Sequence, residues 1–255
     1  MTKGIGILLA GTEGVGKTSF ASEFPKRIDC FSIHETGFED LIELGDISPK
    51  FSTDHQITNY SELVQGVSRS SASTIVVDSL VGYERILTEH VCRKEYEGDI
   101  QKFLDFYKGP RKSCPPYATE FCEILENQRR SGKHVILISH VKAETFKNPR
   151  GLDYTTLDLD LDEGIRSVFK KFMANILFMD LDPGIDRVTK TVKGKATEAK
   201  MKEGDSRVIF TQKSLTHTAK NKLKLPVVID MGSSSQEAYE NFVSFLPPIF
   251  KDQLQ

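Results

Sequence analysis

The stretch Gly11-Thr12-Glu13-Gly14-Val15-Gly16-Lys17-Thr18-Ser19 decides how this chain is read. Gly11 and Gly16 stand at the spacing of a phosphate-binding loop, followed at once by Lys17 and Thr18. Glycines let such a loop turn tightly, so that several backbone N–H groups point inward at one anion. The helix that follows adds its positive end. In that pattern Lys17 reaches the β- and γ-phosphates and the Thr18 hydroxyl binds Mg²⁺, so all nine residues, Gly11 to Ser19, are the expected nucleotide-binding set. The flanks agree. Ile5 to Ala10 is a short apolar run suited to a buried parallel strand. Ser19 to Phe24 suits the first turns of a helix, which Pro25 stops.

Further strands are expected at Asp29–His34, Thr74–Asp78, His134–Ser139 and Ala174–Met179. Helices are expected at Asp40–Leu44, Ser61–Ser68, Gly82–Tyr96 and Tyr117–Ser131, the last ended by Gly132. Strands alternating with helices predict an α/β fold with a mainly parallel sheet. The stretches Gly98–Pro116 and Lys142–Asp162 read as long surface loops. After Pro226 come a short apolar run, a Gly-Ser-Ser-Ser break and an amphipathic helix around Glu237–Phe245. The domain reading is one nucleotide-binding domain over 1–230, with 231–255 as a helical cap on it.

Composition sets the limits. In 255 residues, 38% hydrophobic and 27% charged is ordinary for a globular protein. The net charge of −2 confines any nucleic-acid contact to a local basic patch. No apolar run reaches the roughly 18 residues of a membrane helix. The N-terminal residues run into the first strand without a secretory pattern. Cys30, Cys92, Cys114 and Cys122 form no metal-binding spacing and read as reduced thiols. Together these lead us to expect a cytoplasmic protein.

Three further positions belong to the same sheet edge. Thr74-Ile-Val-Val-Asp78-Ser79 is an apolar strand ending in a carboxylate. Asp78 either holds Mg²⁺ with Thr18 or caps the helix that starts near Gly82; the phosphate loop upstream favours the metal role. Glu35, just past the second strand, either polarises the attacking water or is an exposed loop residue, and Gly37 is expected to make the turn that aims it. His140 ends another strand and is either a γ-phosphate sensor or a surface residue.

The loop Gly11–Ser19, the Glu35-Thr-Gly37 turn, Thr74–Ser79 and the strand ending in Ser139-His140 occur in an order that resembles the RecA-core ATPases. The chain is similar to small phage-encoded, AAA-type members of that group, some of which act in single-strand annealing and recombination. Phe169–Phe178 and the basic segment Ala219-Lys-Asn-Lys222-Leu-Lys-Leu-Pro226 strengthen the likeness. The resemblance implies a RecA-like P-loop NTPase core, a twisted sheet with helices on both faces. It implies ATP and Mg²⁺ as ligands, host cytoplasm as the location, and a homo-oligomeric ring or filament on single-stranded DNA. A single-strand binding or replication protein is a further implied partner. It also implies a cation donated in trans to the neighbour's ATP, for which Lys220 and Lys222 are the candidates.

For the DNA itself the candidates are Lys102, Lys108, Arg111 and Lys112, interleaved with aromatics, together with Lys142 and Arg150. Asp153, Asp158, Asp160 and Asp162 oppose a polyanion beside the last two. Surface loops that pack on a neighbour are the competing reading. Three other functions compete: an accessory ATPase that loads a replication protein without touching DNA, a small-molecule kinase, and a nucleotide switch with negligible turnover. The kinase lacks an arginine-rich lid, since Arg129, Arg130, Arg150 and Arg166 are scattered.

Overall fold

A computed structural model describes residues 3–25, 27–47, 52–149, 151–182 and 206–254. Ten strands are seen among them. They are β1 (Gly6–Gly11), β2 (Ile28–Ser32), β3 (Ser52–Gln56), β4 (Thr74–Asp78), β5 (His134–Ser139), β6 (Val141–Phe146), β7 (Tyr154–Leu159), β8 (Ile176–Leu181), β9 (Arg207–Phe210) and β10 (Val228–Asp230). The helices are α1 (Lys17–Ser22), α2 (Gly37–Glu43), α3 (Tyr60–Arg69), α4 (Leu80–Glu95), α5 (Ile100–Leu104), α6 (Cys114–Arg130), α7 (Glu163–Phe172), α8 (Ser235–Ser244) and α9 (Pro248–Leu254).

The main sheet runs β10-β9-β8-β1-β5-β4-β2-β3. From β8 to β3 all neighbours are parallel, and β9 and β10 extend the β8 side antiparallel. The parallel strands read as unbroken apolar runs because both faces are covered. Along β1, Leu8 and Ala10 enter one core, with residues of α3, α4, α6 and α7. Ile7 and Leu9 enter the other, with residues of α1, α2, α8 and α9. The period of two along a strand sorts them. This is the RecA-like P-loop fold.

The helix after the Gly-Ser-Ser-Ser break is α8, and Phe242 packs edge-on to Phe20 of α1 with ring centroids 5.6 Å apart. Its start is capped by Ser234, which accepts from the Glu237 N–H.

Two expectations are corrected. The stretch 98–116 is not an open loop. It contains α5, a 3₁₀ turn over Asp105–Tyr107 and a wide turn over Gly109–Ser113 that runs into α6. Phe103 anchors it, fully buried in the α3/α4/α6/α7 core with its ring 5.4 Å from that of Tyr96. Gly109 is required there, since a Cβ on it would lie 2.3 Å from the Phe103 ring. The stretch 142–162 is not an open loop either. It forms the antiparallel hairpin β6–β7, in register from Val141↔Leu159 to Phe146↔Tyr154. Both were hidden because their residues are largely polar and half-exposed. The edge strand β3, Ser-Thr-Asp-His-Gln, was hidden for the same reason.

Candidate functional site

Parallel strands deliver their C-terminal ends to one edge, where open α/β sheets bind ligands. The edge here holds a cleft of about 1110 Å³ lined by Thr12–Gly14, Gly16–Ser19, Glu35, Gly37, Leu41, Asp78, Val81, Ile138, His140, Val141 and Asp160. β5 lies between β1 and β4, so the residue ending it sits between the phosphate loop and Asp78.

The loop leaves β1 at Gly11. A Cβ on Gly11 would fall 2.3 Å from the Met179 carbonyl of β8, so no side chain fits. Gly14 (φ 71°) and Gly16 (φ 93°) hold left-handed backbone that other residues adopt only at a cost. Gly16 immediately precedes α1. The Lys17 ammonium points back into the loop, donating to the carbonyls of Gly11 (3.0 Å) and Thr12 (2.6 Å). Burial lowers its pKa, and the charges of Asp78, Glu35 and Glu13 partly restore it. A buried ammonium set in a glycine-rich loop suits a polyphosphate.

Thr18 donates its hydroxyl hydrogen to Asp78 Oδ2 at 2.8 Å. Asp78 is buried, and that burial raises its carboxyl to a pKa of about 6 despite the Thr18 hydrogen bond. The α4 cap falls to Ser79, whose Oγ accepts from Gly82 N–H, leaving Asp78 turned to Thr18. A hydroxyl and a carboxylate side by side are the hard oxygen donors that would hold Mg²⁺ here. Among the described residues no cluster of three or more His, Cys, Asp or Glu forms a self-contained metal site.

Glu35 enters from β2. The turn that aims it is made at His34 (φ 59°), not at Gly37, which is the first residue of α2. Gly37 instead lies against Thr18, whose Oγ1 would be 3.7 Å from an added Cβ. Glu35 Oε1 accepts from Ser79 Oγ at 2.9 Å and lies 3.3 Å from His140 Nε2. The His140 hydrogen bond lowers the Glu35 pKa against the opposing effect of burial. The other ring nitrogen of His140, Nδ1, is buried and has no hydrogen-bond partner among the described residues. His140 O accepts from the Asp160 N–H at 2.9 Å, tying the site to the β6–β7 hairpin.

The remaining sequence candidates lie elsewhere. Lys220 donates to the carbonyls of Lys170 (3.1 Å) and Met173 (2.8 Å), closing the C-terminal end of α7 in its own chain. Lys222 is exposed. Lys102, Lys108 and Arg111 are each beside a carboxylate, Asp99 at 3.5 Å, Asp105 at 3.9 Å and Glu163 at 3.3 Å. Lys142 pairs with Asp160 at 3.1 Å. Lys112 is exposed, and Arg150 lies outside the described residues. Leu41, Val81 and Asp160 line the cleft without having been singled out for it in the sequence; their hydropathy alone marks no site.

A phosphate loop, a hydroxyl–carboxylate pair and a hydrogen-bonded glutamate on a RecA-like sheet define a P-loop nucleotide-binding ATPase. The chain belongs to the AAA domain family, whose model matches residues 3–223. No curated protein matches it. Among solved structures, the RadB recombinase is similar at 12% identity, over 92% of this chain and 90% of that one, with a TM-score of 0.50. A KaiC-like protein, PH0186, from the hyperthermophilic archaeon Pyrococcus horikoshii OT3 is 14% identical over 92% of this chain and 88% of that one, with a TM-score of 0.49. At 12% identity the likeness to the RadB recombinase is one of fold alone. Among the described residues no helix is long and apolar enough to cross a membrane.

Proposed function

We propose that this chain is a Mg²⁺-dependent ATPase of phage-type DNA recombination or replication that works as an oligomer on single-stranded DNA. The observation that carries the hydrolytic part is the Glu35–Ser79–His140 cluster across the cleft from Lys17. Glu35, held ionised by its two hydrogen bonds, takes a proton from water or orients it. Lys17 and the loop amides hold the polyphosphate and offset charge as it develops. Thr18 and Asp78 hold Mg²⁺, which supplies charge neutralisation at the phosphates. His140, hydrogen-bonded to Glu35 and joined through its carbonyl to Asp160, links the state of the cleft to the β6–β7 hairpin.

The DNA-facing part is supported by basic and aromatic groups together. Phe106 and Tyr107 are exposed, with the Lys108 ammonium 5.8 Å from the first ring and the Arg111 guanidinium 5.2 Å from the second. The Phe146 and Tyr154 rings meet across the hairpin, centroids 5.0 Å apart and tilted by 33°, with the Lys213 ammonium 5.5 Å from Phe146. Lys222 is the cation we assign to the neighbour's site, because Lys220 is held by its own chain.

A second reading is favoured by one observation. Lys102, Lys108, Arg111 and Lys142 all face carboxylates, which blunts a phosphate-binding surface and suits an accessory ATPase acting on a replication protein. ATP turnover measured with and without single-stranded DNA separates the two. Stimulation by DNA supports the first reading; turnover that ignores DNA and rises with a partner protein replaces it with the second.

A further inference from the structure

Arg207 opens β9 and pairs with Leu181, at the nucleotide edge of the sheet. Its guanidinium lies against the phosphate loop: a Cβ added to Gly16 would stand 3.2 Å from Arg207 Nη1. Gly16 immediately precedes α1, so this cation sits at the end of the phosphate loop. Lys17 follows Gly16 and is cationic too. No carboxylate among the described residues pairs with Arg207. Arg207 and Lys17 thus bring two cations to the same loop, Lys17 from within it and Arg207 from β9.

The side of the loop is informative. Asp78, Glu35 and His140 follow β4, β2 and β5, all to one side of β1. Arg207 comes from the other side, beyond β8. The residues that handle the terminal phosphate and Arg207 therefore flank the loop from opposite directions. We propose that Arg207 binds the nucleoside end of the nucleotide, by pairing with the α-phosphate or lying over the base, both of which a planar guanidinium recognises. The proposal rests on the nucleotide-site reading above and adds a residue from the antiparallel extension of the sheet.

The test is calorimetric titration of ATP and of inorganic tripolyphosphate, each with Mg²⁺, into wild type, Arg207→Ala, Arg207→Lys and Lys17→Ala. Arg207→Ala is expected to weaken ATP binding about tenfold, as for loss of one charge-assisted hydrogen bond. Arg207→Lys is expected to recover part of that loss. Thermal melting should be unchanged, because the side chain is exposed; if Arg207→Ala does not fold, Arg207→Gln replaces it. An equal loss for tripolyphosphate assigns the contact to the α-position phosphate, and an unchanged tripolyphosphate affinity assigns it to the base. ATP affinity within about twofold of wild type in the Arg207 variants, with Lys17→Ala still defective, overturns the proposal and leaves the nucleotide site standing. Wild type that binds no ATP overturns both.

Discussion

Glu35 Oε1 lies 3.3 Å from His140 Nε2, although the two residues follow β2 and β5, which are separated in the sheet by β4. The pair closes over the end of β4, and Ser79 at that end donates to the same Glu35 oxygen. One carboxylate thus joins three strand ends opposite the phosphate loop.

Glu35→Gln is expected to bind ATP as wild type does and to hydrolyse it at least tenfold more slowly, in the range for loss of a general base. The amide keeps the shape and can still accept from Ser79. Single-turnover hydrolysis with a parallel binding titration checks this. Normal hydrolysis assigns the water to another residue.

Lys17→Ala removes the ammonium that lies in the loop, between the Gly11 and Thr12 carbonyls. Nucleotide affinity should fall by at least tenfold, since a charged hydrogen bond is worth about 1.5–3 kcal/mol. Retained affinity in a folded variant would sink the site assignment.

Burial raises the Asp78 pKa from 3.8 to about 6, so the folded protein holds this proton more tightly than the unfolded chain does. The associated stability is complete below 3.8 and is lost as pH rises through about 6. Asp78→Asn has no such titration. Without nucleotide or Mg²⁺, its stability relative to wild type should therefore grow by about 3 kcal/mol over that pH range. Denaturant melts at the two ends of the range check the sign. A gap that stays constant with pH contradicts the buried, Thr18-bonded carboxylate.

The segment 98–116 owes its order to Phe103. Phe103→Ala should cost about 3–5 kcal/mol in denaturant unfolding, the range for a buried phenylalanine. Phe106→Ser, at a side chain 82% exposed, should change stability by no more than about 0.5 kcal/mol. A loss of DNA-stimulated turnover in Phe106→Ser, with basal turnover intact, would tie that ring to the nucleic acid; unchanged stimulation would place the DNA elsewhere.

The fold was legible wherever chemistry is local. Strands β1, β4 and β5 are buried on both faces and read as continuous apolar runs, and Gly14 and Gly16 of the loop are imposed by its own left-handed backbone. Lys17, Thr18 and Asp78 followed from that loop and from one strand ending. The hairpin β6–β7, the edge strand β3 and the turn-rich segment around Phe103 were not legible. Their residues are polar or mixed, and their order comes from one buried anchor or from pairing with a partner strand.

The linear order of residues settled that a phosphate-binding loop follows a buried strand and precedes a helix, because the residue types and left-handed turns that mark it lie in one short run of sequence. Which distant groups face that loop was decided only by strand order and register. Those place the His140 imidazole on Glu35, withdraw Lys220 to the end of α7, and bring the Arg207 guanidinium from the antiparallel edge onto Gly16. Such contacts join residues far apart in the chain, and no local pattern encodes them.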